Sequence, residues 1–542
     1  MLGLMQDWPL LQSKLIEHAA RFHPRREIVT YSVEGPVHRT NYAELHGRSK
    51  QLAQALERLG VQKGDRVGTL AWNTWRHVEL WFGVAGMGAV AHTVNPRLFA
   101  EQIVYIINHA ADKVLCLDLT FVPLIEPLLE HLKSVEHFVI LTDRAHMPKD
   151  TKIPNPLCYE DLLDVEDGVY EWPELDENTA AGLCYTSGTT GEPKGVLYSN
   201  RSNVLHTMAA AATDTLGVSA RDAVLPVVPM FHANSWGVPY LATMTGAKLV
   251  LNGPHHDPQT MWRILDEEQV SVTAAVPTIW MALLKYLQET GKKLPYLKNV
   301  TIGGSAAPRS MVEAFERDYD VSVSHAWGMT EMSPLGTVGT HTADTASLDF
   351  DGRIDVQCKQ GRAVFGAELR IVDAEGKILP HDGVAFGHLQ ARGPWTAKAY
   401  YNRPDDILDM DGFFDTGDVS VIDPDGFMQI TDRSKDVIKS GGEWISSIDL
   451  ENAAVGHPDV LEAAVIGIVH PKWDERPLLV IVPEPGKTVS RDDMLAFLTG
   501  KVAKWWLPDD VVCRDSIPHT ATGKIHKAGL REQFKDYRFP NV

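Results

Sequence analysis

Between an apolar run and a charged segment, residues 185–195 read YTSGTTGEPKG, a stretch of glycines and hydroxyls with a single lysine. Such a loop suits an anion. The glycines let backbone N–H groups converge, Thr186, Ser187, Thr189 and Thr190 add hydroxyl donors, Gly188 and Gly191 leave the backbone unobstructed, and Lys194 adds charge. Phosphate is the natural guest. The P-loop of nucleoside triphosphatases requires Gly-x-x-x-x-Gly-Lys-Ser/Thr, whereas Pro193 precedes Lys194 and Gly195 follows it, so that reading fails on the residues. Taken alone, the stretch also fits a surface loop rich in turn formers.

Further along, chemistry-bearing residues recur in short blocks: PMFHANSW at 229–236, GGSAAP at 303–308, HAWGMTE at 325–331, FFDTGD at 413–418, DRSKDVIKSGGEWIS at 432–446 and PHTATGKI at 518–525. In this order they resemble the motifs of the adenylate-forming enzymes, the superfamily of acyl-CoA synthetases, peptide-synthetase adenylation domains and beetle luciferases. The resemblance covers nearly the whole chain. It implies that a carboxylate attacks the α-phosphate of ATP with loss of pyrophosphate, so that charge must be screened on both sides of the reacting phosphorus.

Within that resemblance, Thr186–Gly191 and Lys194 match the phosphate loop, Thr330 is suited to donate to phosphate, and Glu331, with Thr190, is implied to hold Mg²⁺. Gly304, Ser305, Ala306, Ala307 and Pro308, with His325, Ala326, Trp327, Gly328 and Met329, look like the adenine site, Trp327 being able to stack on the purine. Asp418 resembles the carboxylate that accepts the ribose hydroxyls, and Arg433 lies close to the ribose in the family. The sequence departs from the common pattern at Phe414-Asp415, where Tyr-Arg is usual, and at Asp432, where Gly is usual. Lys524 resembles the lysine that reaches the acyl carboxylate and α-phosphate during adenylation, and Lys435 occupies the hinge position. Rotation there is implied to withdraw Lys524 and bring Lys439, Ser440, Gly441, Gly442, Glu443 and Trp444 towards a channel for coenzyme A.

The implied acyl pocket draws on His232, Trp236, Gly304, Gly328 and Trp395. His232 stands where adenylation domains for amino acids commonly place an aspartate, which disfavours an α-amino acid. Acetyl-CoA synthetases carry Trp where this chain has Gly328, so glycine is read as leaving room for a longer acid, while Trp236 and Trp395 are read as capping the far end. The whole looks most like the medium-chain acyl-CoA ligase branch, with 3-(methylthio)propanoate the leading acid. ATP, Mg²⁺ and coenzyme A are the implied cofactors, and a noncatalytic nucleotide-binding regulator is the reading from another class.

These residues need a large scaffold. The chain has 542 residues, enough for more than one domain and a deep cleft. Apolar runs at 66–70, 113–117, 137–141 and 247–251 alternate with helical patterns such as 40–59 and 258–269, which predicts an α/β class with largely parallel sheets. From about Arg362 the texture changes to short strands and turns. With the resemblance, the expected architecture is a large N-terminal unit, residues 1–434, of two α/β sheet subdomains plus a distorted β-barrel, then a small mobile α+β unit, 435–542. A net charge of −20 argues against nucleic acid or an anionic membrane as the main partner. The scattered cysteines point to a reducing compartment. The opening residues read as an amphipathic helix, and no apolar run reaches the roughly 20 residues that span a bilayer. A cytoplasmic homodimer without membrane insertion is expected.

Overall fold

The computed structural model describes residues 1, 3–186, 192–403, 406–440, 443–520 and 524–540, with Glu443 and Trp444 described by backbone alone. One sheet has seven strands in the order Leu157–Cys158, His137–Ile140, Asp112–Leu117, Arg66–Leu70, Val90–Thr93, Ala180–Tyr185 and Gly195–Ser199. All neighbours are parallel except the last pair. Its central strands are apolar because helices cover both faces; Val67, Val114, Leu115 and Cys116 are wholly buried. The antiparallel last pair has Tyr185 opposite Gly195, so its two strands flank the stretch expected to bind phosphate.

The second sheet has thirteen strands. Its parallel half includes Lys248–Leu251, Ala223–Pro226, Val272–Ala275, Asn299–Ile302 and Ser322–Gly328 as successive neighbours. At Ser322–Gly328 the direction changes, and Leu335–Val338, Gly361–Ala363, Phe427–Arg433, Phe414–Ile422, Phe386–Arg392 and Glu368–Val372 continue it as antiparallel strands. The strands expected to form a barrel-like region are thus hydrogen-bonded into the second α/β sheet. A separate five-stranded sheet is built from Glu443–Ile445, Ile438–Ser440, Asp474–Pro483, Val460–His470 and Asp510–Cys513, with helices Ser447–Val455, Arg491–Leu498 and Lys527–Gln533.

Local sequence accounts for the helices. In Tyr42–Arg58, Asn41 caps the N-terminus by accepting the Glu44 N–H at 3.0 Å, while Leu45, Leu52, Ala53 and Leu56 are buried along one face. Each leucine buried there contributes about 2 kcal/mol. The opening segment departs from expectation: the helix is confined to Gln12–Phe22. Pro9 upstream cannot continue a helix, since it lacks the N–H and crowds the preceding turn. No helix among the described residues is long and apolar enough to cross a membrane.

Candidate active site

At the loop stem, the Thr186 N–H donates to the Lys194 carbonyl at 2.9 Å and the Lys194 N–H donates to Thr186 Oγ1 at 3.2 Å. Ser187, Gly188, Thr189, Thr190 and Gly191 lie outside the described residues. Lys194 Nζ sits 4.7 Å from the ring centre of Tyr400. Thr330 and Glu331 occupy a short helical turn directly beyond the strand Ser322–Gly328. That turn is clamped from two sides: the Tyr198 hydroxyl donates to the Thr330 carbonyl at 2.7 Å, and the Ala397 N–H to the Glu331 carbonyl at 2.7 Å. The Tyr400 hydroxyl donates to Glu331 Oε1, also at 2.7 Å. Burial pushes the Glu331 carboxyl up; the Tyr400 hydrogen bond and the charges of Arg433 and Lys194 oppose it.

Asp418 and Arg433 face each other across two paired strands. The Asp418 carboxylate is almost fully buried; Oδ2 accepts the Trp327 indole N–H at 2.8 Å, and Oδ1 lies 2.8 Å from Arg433 Nε, an ion pair too poorly aligned to count as a hydrogen bond. Trp327, expected on the purine, is therefore oriented by Asp418, with its ring packed against Gly336. Lys524 enters from the far end of the chain. Its N–H donates to Thr520 Oγ1 at 3.2 Å and its carbonyl accepts the Thr520 N–H at 2.7 Å, in a small loop closed by the His519 and Ile525 bridge. Burial and the Arg433 charge push its amine down to about 8, against the pull of Asp418 and Glu331. Its side chain is half-buried.

His232 is pushed down to about 4 by burial first, then by the charges of Lys524 and Arg97, so it is neutral near pH 7. His325 is buried, with Nδ1 3.0 Å from the Cys358 carbonyl, and burial likewise brings it to about 4. Gly304 has φ +83°, a conformation that favours glycine; it and Ser305 are exposed, Ala306 is half-buried, and Ala307 and Pro308 are buried at the start of helix Arg309–Tyr319. Ala326 is buried and Met329 half-buried.

The structure thus brings together Lys194, Thr330, Glu331, Asp418, Arg433, Lys524 and His232. Tyr400, Tyr198 and Arg97 join them unheralded. Tyr400 and Tyr198 lie outside the motifs and act over long chain separations. Arg97, whose guanidinium sits 5.8 Å from the Phe231 ring centre, is held in a desolvating position that lowers its pKa.

Two pocket assignments need correction. A Cβ built on Gly328 would fall 2.2 Å from the Pro334 carbonyl, and the Met329 N–H donates to that same carbonyl at 2.9 Å. A close backbone approach alone requires glycine at this exposed position, so the residue type is no sign of room for an acid. Gly328→Ala is accordingly expected to lower stability by about 1–3 kcal/mol, read as a fall in melting temperature, without changing which acid is preferred. Trp395 is buried, donates its indole N–H to the Leu335 carbonyl at 2.9 Å and packs against Gly366, so it is a core residue beneath the antiparallel strands. Trp236 does border the glycine pair: its ring comes within 3.0 Å of a Cβ built on Gly303 and 4.0 Å of one on Gly304. Ala233, Asn234, Ser235 and Trp236 all have positive φ, between 42° and 54°, a left-handed run that costs about 1–2 kcal/mol per residue. Ser235 helps hold it by donating to the Val228 carbonyl at 2.7 Å.

In the region assigned to coenzyme A, Lys439 is exposed and its N–H donates to Glu475 Oε2 at 3.0 Å. Ser440 is corrected: it is wholly buried and accepts Arg476 Nη1 at 3.3 Å, so its hydroxyl faces the small sheet. Gly441 and Gly442 lie outside the described residues. Nearby Lys435 is exposed in a turn closed by the Asp436 and Val437 N–H groups on the Arg433 carbonyl, at 2.8 and 3.0 Å. Asp432, the departure from the common glycine, is buried and accepts the Ser447 N–H at 2.9 Å, tying the last strand of the large sheet to the first helix of the small unit.

Residues 16–401 match the AMP-binding enzyme family and residues 449–524 the AMP-binding enzyme C-terminal domain. The chain belongs to the AMP-binding enzyme family. This AMP-binding enzyme is 51% identical over 536 residues, covering 99% of both chains, to the 3-methylmercaptopropionyl-CoA ligase of Ruegeria lacuscaerulensis. It is 48% identical to the medium-chain-fatty-acid–CoA ligase of Ectopseudomonas oleovorans, covering 99% of this chain and 98% of that one. Its fold matches the crystal structure of the anthranilate CoA ligase AuaEII in complex with anthranoyl-AMP, with a TM-score of 0.87 and 24% identity over 98% of this chain and 99% of the other.

Glu331 fits a magnesium ion. Its carboxylate is a hard oxygen donor, 7% exposed, with one oxygen already committed to Tyr400. Mg²⁺ is commonly held by one or two carboxylates together with substrate phosphates, a role that a single carboxylate such as this one can fill. Thr190, the other assigned ligand, lies outside the described residues.

Proposed function

We propose that this acyl-CoA ligase activates a short-to-medium carboxylic acid, with 3-(methylthio)propanoate as the leading candidate, through an acyl-adenylate. The observation that carries the reading is the meeting of the Lys524 amine with Asp418, Glu331 and Arg433 beside the stem of the phosphate loop. A bound acid places a carboxylate oxygen against the α-phosphorus of ATP; the new P–O bond forms as the bond to pyrophosphate breaks. Lys524, charged below about pH 8, lies where it offsets charge on both reacting groups. Asp418 holds the ribose hydroxyls and Trp327 together, and Lys194 faces the outer phosphates. Mg²⁺ would supply further neutralisation of the phosphates, held by Glu331. His232 and Trp236 lie on the acyl side, and neutral His232 offers no partner for an α-ammonium.

In the second step the sulfur of coenzyme A bonds to the acyl carbon, its proton leaves, and AMP departs with the electron pair of the broken C–O bond. Units 1–434 and 435–542 joined at Lys435 support such a sequence: the thirteen-stranded sheet ends its part in the chain at Arg433, and the five-stranded sheet begins at Ile438. Relatives named 3-methylmercaptopropionyl-CoA ligase and medium-chain-fatty-acid–CoA ligase support the acid class. A generic medium-chain fatty acid is the second reading, favoured by the latter. A cytoplasmic homodimer belongs to the same proposal.

The test is pyrophosphate release with ATP and Mg²⁺ over acetate, propanoate, butanoate, hexanoate, octanoate, 3-(methylthio)propanoate and benzoate, with and without coenzyme A. Turnover that needs coenzyme A and peaks at the methylthio or four-to-six-carbon acids is expected. A peak at octanoate would favour the generic medium-chain reading over 3-(methylthio)propanoate, and a peak at acetate or benzoate would overturn the acid assignment; release with none of them would return the chain to a regulator.

A further inference from the structure

The two oxygens of Glu331 are treated differently by the protein. Oε1 accepts the Tyr400 hydroxyl at 2.7 Å, and among the described residues no other side chain donates to either oxygen. Tyr400 is itself fixed, buried beside Cys184, Val196, Tyr198 and Phe414. The backbone around it is laced to both halves of the site: the Ala397 N–H donates to the Glu331 carbonyl at 2.7 Å, and the Tyr401 N–H to the Gly195 carbonyl at 2.8 Å. Against the face of the same ring lies Lys194 Nζ, 4.7 Å from its centre. One aromatic side chain therefore touches the lysine of the phosphate loop and the carboxylate of the magnesium turn.

A carboxylate free to rotate can offer a cation one oxygen or both, and Mg²⁺ binds well only with near-octahedral, single-oxygen contacts. A donor locked on one oxygen removes that choice, and such supporting bonds hold a ligand's orientation before the ion arrives. We propose that Tyr400 is a positioning residue of the magnesium–ATP site: its hydroxyl holds Glu331 Oε1 so that Oε2 alone meets the cation, while its ring seats Lys194 beside the phosphates. This rests on Glu331 being the cation's ligand, as read above.

Calorimetric titration of ATP into the full chain, with and without Mg²⁺, tests it on wild type, Tyr400→Phe, Tyr400→Leu, Glu331→Gln and the Tyr400→Phe, Glu331→Gln double variant. Tyr400→Phe keeps the ring and loses the hydroxyl. It is expected to cut the Mg²⁺-dependent gain in ATP affinity about tenfold while leaving metal-free affinity unchanged. Tyr400→Leu removes the seat of Lys194 as well, and is expected to weaken metal-free ATP binding about threefold in addition. The double variant should match Glu331→Gln alone. An undiminished gain in Tyr400→Phe, an equal fall with and without metal, or additive losses in the double variant would each overturn the role of Tyr400. Glu331→Gln with its Mg²⁺ gain intact would instead remove the reading of Glu331, so the two failures are distinguishable.

Discussion

Lys524→Ala is expected to slow acyl-adenylate formation about a thousandfold while leaving thioester formation from supplied acyl-adenylate within about threefold of wild type. The amine stands among Asp418, Glu331, Arg433 and His232, where burial makes its charge both costly to hold and effective when held. The same environment sets a pH dependence. Because the amine is lowered to about 8, it is protonated below that value and loses its charge as pH rises through it. Adenylation measured as kcat/KM, which reports the free enzyme, should therefore fall above about pH 8. Lys524→Arg keeps the charge throughout this range and should abolish that fall. Equal loss in both half-reactions on Lys524→Ala would show that the residue supports the fold rather than the first step.

Asp418→Ala should weaken ATP binding about a hundredfold, since the carboxylate that is assigned the two ribose hydroxyls also sets the Trp327 indole. A second consequence separates this residue from a simple ribose contact. Asp418 raises the Lys524 pKa, so its removal leaves that amine facing Arg433 with one fewer compensating charge. The alkaline fall in kcat/KM should begin at lower pH than in the wild type. ATP titration calorimetry reads the first effect and the pH profile the second; an unshifted profile would mean that Asp418 and Lys524 do not share a field when substrates bind.

Much of this site was legible because its chemistry sits in contiguous blocks. Thr330-Glu331 and the pair Asp418 and Arg433 each lie at a strand end or on paired strands, so naming the block nearly names the place. Side chains that serve the site from outside the blocks were invisible. Tyr400 reaches Glu331 because two distant connections of the thirteen-stranded sheet meet, and Tyr198 reaches Thr330 because the seven-stranded sheet packs there; no periodicity in the sequence records either meeting. Gly328 shows the opposite failure: a glycine needed by a backbone 2.2 Å from a would-be Cβ looks the same, in a sequence, as one that opens a pocket. Trp395 misled for a related reason, since a buried tryptophan and a pocket wall differ only in what lies beyond the ring. The alternation of apolar runs and helical patterns gave the α/β class, but the joining of parallel and antiparallel strands into one sheet depends on pairing at Ser322–Gly328, which is long-range.

That shared strand limits how the molecule can be recombined with its relatives. A chimera cut between the parallel and antiparallel halves would sever a hydrogen-bonded ladder and strand the HAWGMTE segment at a raw edge, exposing unpaired backbone to misassembly. A crossover between Arg433 and Ile438 would leave every ladder among the described residues whole, provided the incoming unit keeps a backbone N–H at position 447, and so no proline there, for the Asp432 carboxylate. Exchange of the small unit is therefore the recombination that both larger sheets tolerate, whereas changes within those sheets are better made by single substitutions.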